Sequence, residues 1–494
     1  MITWNRLTAH VAVVAFAAIS PLACGTGDDG GTGAVPEAGT SSGSDGSHAG
    51  SSSGSSSGAS SSGSGSSSGG ASSGSGSTSS SGVSGSGSSS GSGSSSGGPP
   101  DSGPKNGPPL VHSFDTNCLG VPDADVAASP DLVGMVGQWT AYFYKKDGTA
   151  DHQYTWKALQ GSLISDTHIV YDVPSSRWFM TTIVQNVTGA AYGVQVMVST
   201  DATASSWQTS IPANYTQLID NPQPTVTSDK VLLVYHGNCA WVVDKADLYA
   251  GNAAVVQPTS CSLSSQDNWV AVKYGGAPPS TAYAVTLADD STLSWLSVDG
   301  TQAANDVKLQ VHDIPIPTVP EAPLWGTGGV TVNGDGIEAG EVKAMFQDGH
   351  IYWAKTTTCG GSTCERLFDI DTAANTAKTH DFALANNQLW FGVPGVDSSG
   401  NVWMLASAST TQGPIGLALM GVYSSGTTYD PTVVVHGTAQ IDNGSANTRW
   451  GDYYSAAQDP TDGSTWLIGQ YGGGPAALNP ESNAGCRVVH VTPQ

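Results

Sequence analysis

From Leu110 to the C-terminus, apolar residues fall in short runs broken by Gly, Asp, Asn and Pro. The runs are rich in Val, Ile, Trp and Tyr, and none sustains a helical period. The pattern therefore predicts strands joined by tight turns. One phrase recurs in it: an acidic or polar turn, then an aromatic, β-rich strand. It begins at Asp172 and reaches Trp178, then recurs from Ser228 to Val234 and from Asp289 to Trp295. Three further copies run from Gln347 to Trp353, Asp397 to Trp403 and Asp459 to Trp466. The turns lie roughly 50 to 65 residues apart, a spacing typical of stacked supersecondary repeats.

A period of that size holds about four strands, which is one blade of a β-propeller. Six phrases predict six blades. Trp139 to Gly148, another aromatic strand running into an Asp-Gly turn, adds a seventh or completes the last. The expected fold is all-β: a single β-propeller of six to seven four-stranded blades over residues 110–494. A pair of β-sandwiches is the competing arrangement. Recurrence at one spacing through the whole domain favours radial closure, which also protects sheet edges.

Upstream, the texture differs. Residues 25–109 are Gly/Ser-rich with few apolar side chains, too few to offset chain entropy, so a disordered linker is expected. Its root-mean-square reach is roughly 50 Å. Residues 1–24 combine Arg6, a short apolar run from Val11 to Ile19, and Pro21-Leu22-Ala23-Cys24. This resembles a lipoprotein-type signal peptide with Cys24 as the lipidated residue. The expectation is export to the bacterial cell envelope, as an outer-membrane lipoprotein or extracellular protein, touching membrane only through the lipid anchor.

Charge narrows the partners. The formal net charge is −24 while charged residues are only 11% of the chain, so the imbalance reflects a shortage of Lys and Arg. Such a surface repels phosphate backbones, and no nucleic-acid partner is expected. A monomer that binds a protein or glycan ligand is expected instead. Besides Cys24, six cysteines remain, an even number in an exported chain, which reads as disulfides. Six allow 15 pairings. Proximity along the chain favours Cys359–Cys364 and Cys239–Cys261, leaving Cys118 with Cys486.

Several fingerprints resemble those of a largely uncharacterised family of exported bacterial β-propeller proteins. The first joins Asp166, Ile169-Val170-Tyr171-Asp172 and Arg177-Trp178-Phe179. The second is Asp220-Asn221-Pro222 followed by Ser228-Asp229, with Gln223 where the family carries Lys or Arg. The third is Lys245-Ala246-Asp247-Leu248-Tyr249-Ala250-Gly251. The most specific is Arg449-Trp450-Gly451-Asp452-Tyr453, then Asp459-Pro460 and Trp466, with Tyr454 where the family has Ser. The resemblance implies fold and export, and no established reaction.

Candidate chemistry is sparse. Asp166, Asp220 and Asp452 are the catalytic candidates: carboxylates converging near a propeller axis could act as acid and base on a glycosidic bond. The bland alternative is that they cap turns. Arg449, Trp450, Asp452 and Tyr453 are the binding candidates. Asn333, Asp335 and Glu338 have the alternating oxygen spacing of a calcium loop but lack its first acidic ligand, so no cofactor is expected beyond that weak calcium candidate. Trp325 and Trp390 are candidates for stacking on sugars. The leading reading is a surface-tethered, non-catalytic propeller that binds a protein or glycan partner. A carbohydrate-active hydrolase and a structural envelope protein are the alternatives.

Overall fold

In the computed structural model the described residues are 109–116, 124–137, 140–156, 159, 166–185, 192–210, 220–236, 239–251, 269–322, 343–410, 413–439, 454–473 and 484–492. Short strand segments at 162–163, 214–215, 325–327, 330–333 and 447–449 complete them. The signal, Cys24 and the linker lie outside this set, as do Cys118 and Cys261.

Seven antiparallel sheets radiate from seven inner strands, making a β-propeller. Blade 1 starts at Asp125–Ala128, blade 2 at His168–Asp172, blade 3 at Asp220–Val226 and blade 4 at Val270–Tyr274. Blade 5 starts at Ala344–Gln347, blade 6 at Gln388–Val396 and blade 7 at Ser455–Gln458. Each inner strand lies beside that of the next blade, and the last lies beside both Gln388–Val396 and Asp125–Ala128, so the ring is closed. The inner strands of blades 4 and 5 also pair in parallel, Val272 opposite Ala344.

Blade 7 draws on both chain ends. Leu110–Thr116 pairs antiparallel with Ala484–Thr492 as its outermost strand, placing Thr116 opposite Cys486. Ring closure thus needs the first and last strands of the domain together. The strand predicted near Trp139 is Thr140–Lys145, third strand of a complete blade 1, so the described residues form seven blades.

The core follows this architecture as layers between adjacent blades. In Lys230–His236, Val231, Leu233 and Tyr235 pack toward blade 2, while Leu232 and Val234 pack toward blade 4. Successive side chains point to opposite faces, so a strand covered on both sides reads as a continuous apolar run. Trp178, Trp241, Trp353, Trp390, Trp403 and Trp466 are wholly buried in these layers. Trp390 is therefore a packing residue and not a sugar platform. The side chain of Trp325 lies outside those described.

The recurring turn phrase is the connection from first to second strand in blades 2, 3, 5, 6 and 7. In blades 6 and 7 its chemistry is the same. Asp397 Oδ1 accepts N–H bonds from Ser399 (2.8 Å) and Asn401 (3.0 Å), and its Oδ2 accepts the Trp403 indole N–H (2.9 Å). Asp459 accepts from the Thr461 N–H (2.8 Å) and the Trp466 indole (2.9 Å). One carboxylate caps the turn and ties down the buried Trp. The Asp289 copy differs: it joins the second and third strands of blade 4, because that blade makes its first turn with Gly275 to Thr281.

Of the cysteines, Cys359 and Cys364 form a disulfide closing the hairpin between His350–Cys359 and Ser362–Asp371. Cys486 is also disulfide-bonded. Its partner, and the state of Cys239, lie outside the described side chains.

Candidate functional site

The inner strands run in parallel, so their starts share one face of the ring and their ends, with the first-to-second turns, share the other. The two faces are called here the return face and the turn face.

Polar side chains link the inner strands across the axis. Lys273, on the inner strand of blade 4, reaches over the channel to blades 1 and 7. Its ammonium donates to Asp125 Oδ1, to the Val126 carbonyl (2.7 Å) and to Ser455 Oγ (2.6 Å). All three of its N–H bonds are thereby used. Asp125 Oδ2 accepts from His168 Nδ1 (3.2 Å) in blade 2, and His168 Nε2 contacts the Asn221 amide (2.8 Å) in blade 3. The Asn221 backbone N–H in turn donates to Asp166 Oδ2 (3.1 Å). One continuous network thus ties five blades together.

Its electrostatics are those of a buried hub. Burial alone would raise the Asp125 carboxyl, but Lys273, His168 and Lys343 hold it well below the usual carboxylate range. Burial, reinforced by the charge of Lys343, lowers His168 to about 3, so the ring is neutral at physiological pH. Burial pulls Lys273 down, opposed by Asp125.

Of the catalytic candidates, Asp166 and Asp220 stand at the return face, at the starts of blades 2 and 3. Asp166 is buried with a left-handed backbone (φ 57°), and Asn221 likewise (φ 50°). The first two fingerprints therefore meet there, through the Asp166–Asn221 bond. Asp220 lies on the strand, its side chain outside those described. Arg449 lies in a small accessory sheet, where the short strand Asn447–Arg449 pairs in parallel with Val330–Asn333 and places Arg449 opposite Asn333. The side chains of both are outside those described, and so are Trp450, Asp452, Tyr453, Asp335 and Glu338 entirely.

The first and third fingerprints meet on the turn face. Lys245 opens the short helix Lys245–Tyr249 and donates to Asp172 (2.9 Å) and to the Thr227 carbonyl (2.8 Å). The Tyr249 hydroxyl donates to Asp172 Oδ2 (2.7 Å), and Arg177 donates to the Tyr249 carbonyl (3.1 Å) while lying over its ring. Asp172, Arg177, Lys245 and Tyr249 form one clamp between blades 2 and 3.

Sequence reasoning did not single out the concavity itself. At the turn face the channel widens into a cavity of about 450 Å³, floored by Lys273. Six of the seven blades line it. Val170, Tyr171, Val226, Tyr274 and Pro278 supply apolar and aromatic wall, and Gln458, Asp459, Thr461 and Asp462 supply polar rim. Asp459 is paired with Lys146 (2.5 Å), and Asp462 accepts from Ser464 (2.5 Å). Asp459, Asp462 and His490 bring potential metal-ligating atoms within 4.8 Å of one another, but Lys146 already neutralises Asp459.

No protein-family model and no curated protein matches the chain. Among solved structures it is similar to the WD40 domain of Toxoplasma gondii coronin, at 9% identity over 79% of this chain and 87% of that one, TM-score 0.41. It is similar to the RRP9 WD40 repeats, at 9% identity over 77% and 97%, TM-score 0.39. It is also similar to a fungal alcohol oxidase of the AA5 family in complex with copper, at 14% identity over 77% and 76%, TM-score 0.40. These are likenesses of strand arrangement alone.

Proposed function

We propose that this chain is a lipid-anchored protein of the bacterial envelope whose propeller binds a protein or glycan partner, without catalysis, at the turn-face cavity. Cys24 carries the anchor, and the Gly/Ser linker holds the propeller away from the membrane. The supporting observation is the cavity and the state of the carboxylates around it. Its volume, about 450 Å³, suits a short ligand segment, and its wall mixes apolar surface with a few polar groups. Glycoside hydrolysis needs one carboxyl kept protonated beside a second that is ionised. Here Asp172 is bonded to Lys245 and Tyr249, Asp459 to Lys146 and Trp466, and Asp125 below them to Lys273. Asp462 is lowered, its burial outweighed by bonds from Ser464. The cavity carboxylates are thus occupied by fixed donors of the protein itself.

The test is a glycan and peptide array on the full chain, compared with Ala277→Trp. Ala277 is exposed on the cavity rim, so the indole fills the mouth without entering the core. Ligand binding that disappears in the variant, with no product formed by the parent chain, supports the reading. Turnover of a bound glycan sinks it.

A further inference from the structure

A second cleft, of about 390 Å³, opens between the outer parts of blades 5 and 6. Its blade 5 wall is one face of three neighbouring strands. The register sets Tyr352 beside Asp369 and Asp369 beside Lys378, with Leu367 beside His380 in the next row. His350 Nδ1 lies 2.6 Å from Asp369 Oδ1. The rings of His350 and Tyr352 are nearly parallel, 14° apart in plane with centroids 6.0 Å apart, and both line the cleft. The opposite wall comes from blade 6: Val402, Val422, Tyr423 and the turns holding Gly400 and Gly426. A Cβ at Gly426 would meet nothing within 4 Å, so the cleft is open on that side.

Its hydrogen-bonding groups define what fits. The Tyr352 hydroxyl, the Lys378 ammonium and the His380 ring face the cleft without a hydrogen bond to any described residue. Burial, with the nearby charges of Asp369 and Asp348, raises the Tyr352 phenol, which therefore stays a neutral donor. Asp369 is an acceptor oriented by His350. A phosphate drawn to Lys378 would also meet the Asp369 carboxylate beside it, which opposes a second anion. A purely apolar ligand would bury these donors unpaired, at a cost. A ligand with several hydroxyls, each able to donate and accept, and with a C–H face to lie against the aromatic rings lining the cleft satisfies every group.

We propose that the cleft between blades 5 and 6 is a binding site for a neutral saccharide, separate from the axial cavity. The donors Lys378, His380 and Tyr352 and the acceptor Asp369 take its hydroxyls, and the aromatic lining takes its apolar face.

Calorimetric titration of the full chain with neutral glucose- and galactose-based trisaccharides tests this, with acidic and phosphorylated saccharides alongside. Ser424→Trp blocks the cleft from blade 6, where Ser424 is exposed. Lys378→Ala with His380→Ala removes two donors, and Ala277→Trp blocks only the axial cavity. The expected result is binding of a neutral trisaccharide, weakened at least about tenfold by Ser424→Trp and by the donor pair. Ala277→Trp leaves it unchanged, and all variants keep the parent melting temperature. The proposal is overturned if no neutral saccharide binds, if acidic or phosphorylated saccharides bind better, or if Ser424→Trp binds normally. Loss confined to Ala277→Trp also overturns it and assigns the sugar to the axial cavity.

Discussion

Lys273 crosses the propeller axis from blade 4 to pair with Asp125 of blade 1. A ring of blades is held by neighbour contacts alone unless something spans its centre. Here a buried ion pair does so, and His168 and Asn221 extend it around the ring. Removing Lys273 leaves Asp125 charged and buried. Lys273→Met should cost about 3–5 kcal/mol in denaturant unfolding. Lys273→Met with Asp125→Asn should cost less than Lys273→Met alone. If the single variant is as stable as the parent, the pair does not hold the ring.

The same hub predicts acid sensitivity. His168 falls from an ordinary 6.5 to about 3 in the folded chain, through burial and the charge of Lys343. Between those values the unfolded chain binds the extra proton, so its contribution to stability is complete above pH 6.5 and lost as pH falls toward 3. Asp125, depressed likewise, adds a loss only below its ordinary 3.8. The His168 contribution should therefore shrink between pH 6.5 and 4, read as the parent minus His168→Gln difference in melting temperature, which cancels the opposing Glu365 contribution common to both. An unchanged slope in the variant would assign the acid sensitivity elsewhere.

Glu365 predicts the opposite sign. It is buried between blades 5 and 6, bonded by Thr356 (2.8 Å), with its Oε2 at 2.6 Å from where a Cβ on Gly392 would stand. Burial pushes its carboxyl up to about 8 from an ordinary 4.5. Between those values the folded chain holds the extra proton, so stability declines as pH rises from 4.5 to 8. Glu365→Gln keeps the shape and removes the ionisation. It should gain on the order of 2 kcal/mol over the parent at pH 8 and little at pH 4.5. A thermal shift series across that range reads the difference.

The clamp at Asp172 predicts structure without function. Lys245→Met removes its ammonium from Asp172 and from the Thr227 carbonyl. The melting temperature should fall, by the equivalent of about 2–4 kcal/mol, while ligand affinity at the axial cavity stays within twofold. Lost affinity in a folded variant would make the clamp part of the binding site.

Much of the fold is legible in the sequence because a blade imposes its period. Asp397-to-Trp403 and Asp459-to-Trp466 recur because each carboxylate must cap a turn and receive an indole N–H. The Asp289 copy shows the limit: the same local chemistry serves any tight turn, so it does not report which strands are joined. The hub was not legible. Val270-Ala271-Val272-Lys273-Tyr274 reads as an ordinary strand with one surface lysine, and only ring closure turns that lysine toward Asp125, far away in sequence. A lysine inside a run otherwise covered on both faces was the one available signal. Asp166 and Asp172 carried the fingerprint, but their partners Asn221 and Lys245 come from the next blade, which a linear pattern does not connect.

The reading of this protein as a binding propeller turns on the axial cavity. Its most direct test is an array of glycans and peptides read in parallel with the full chain and with Ala277→Trp, with every bound glycan then checked for cleavage. The account predicts at least one ligand that binds the parent chain, is recovered intact and is lost in the variant. Identical arrays for the two proteins would contradict it, as would cleavage that disappears in Asp166→Asn or Asp452→Asn.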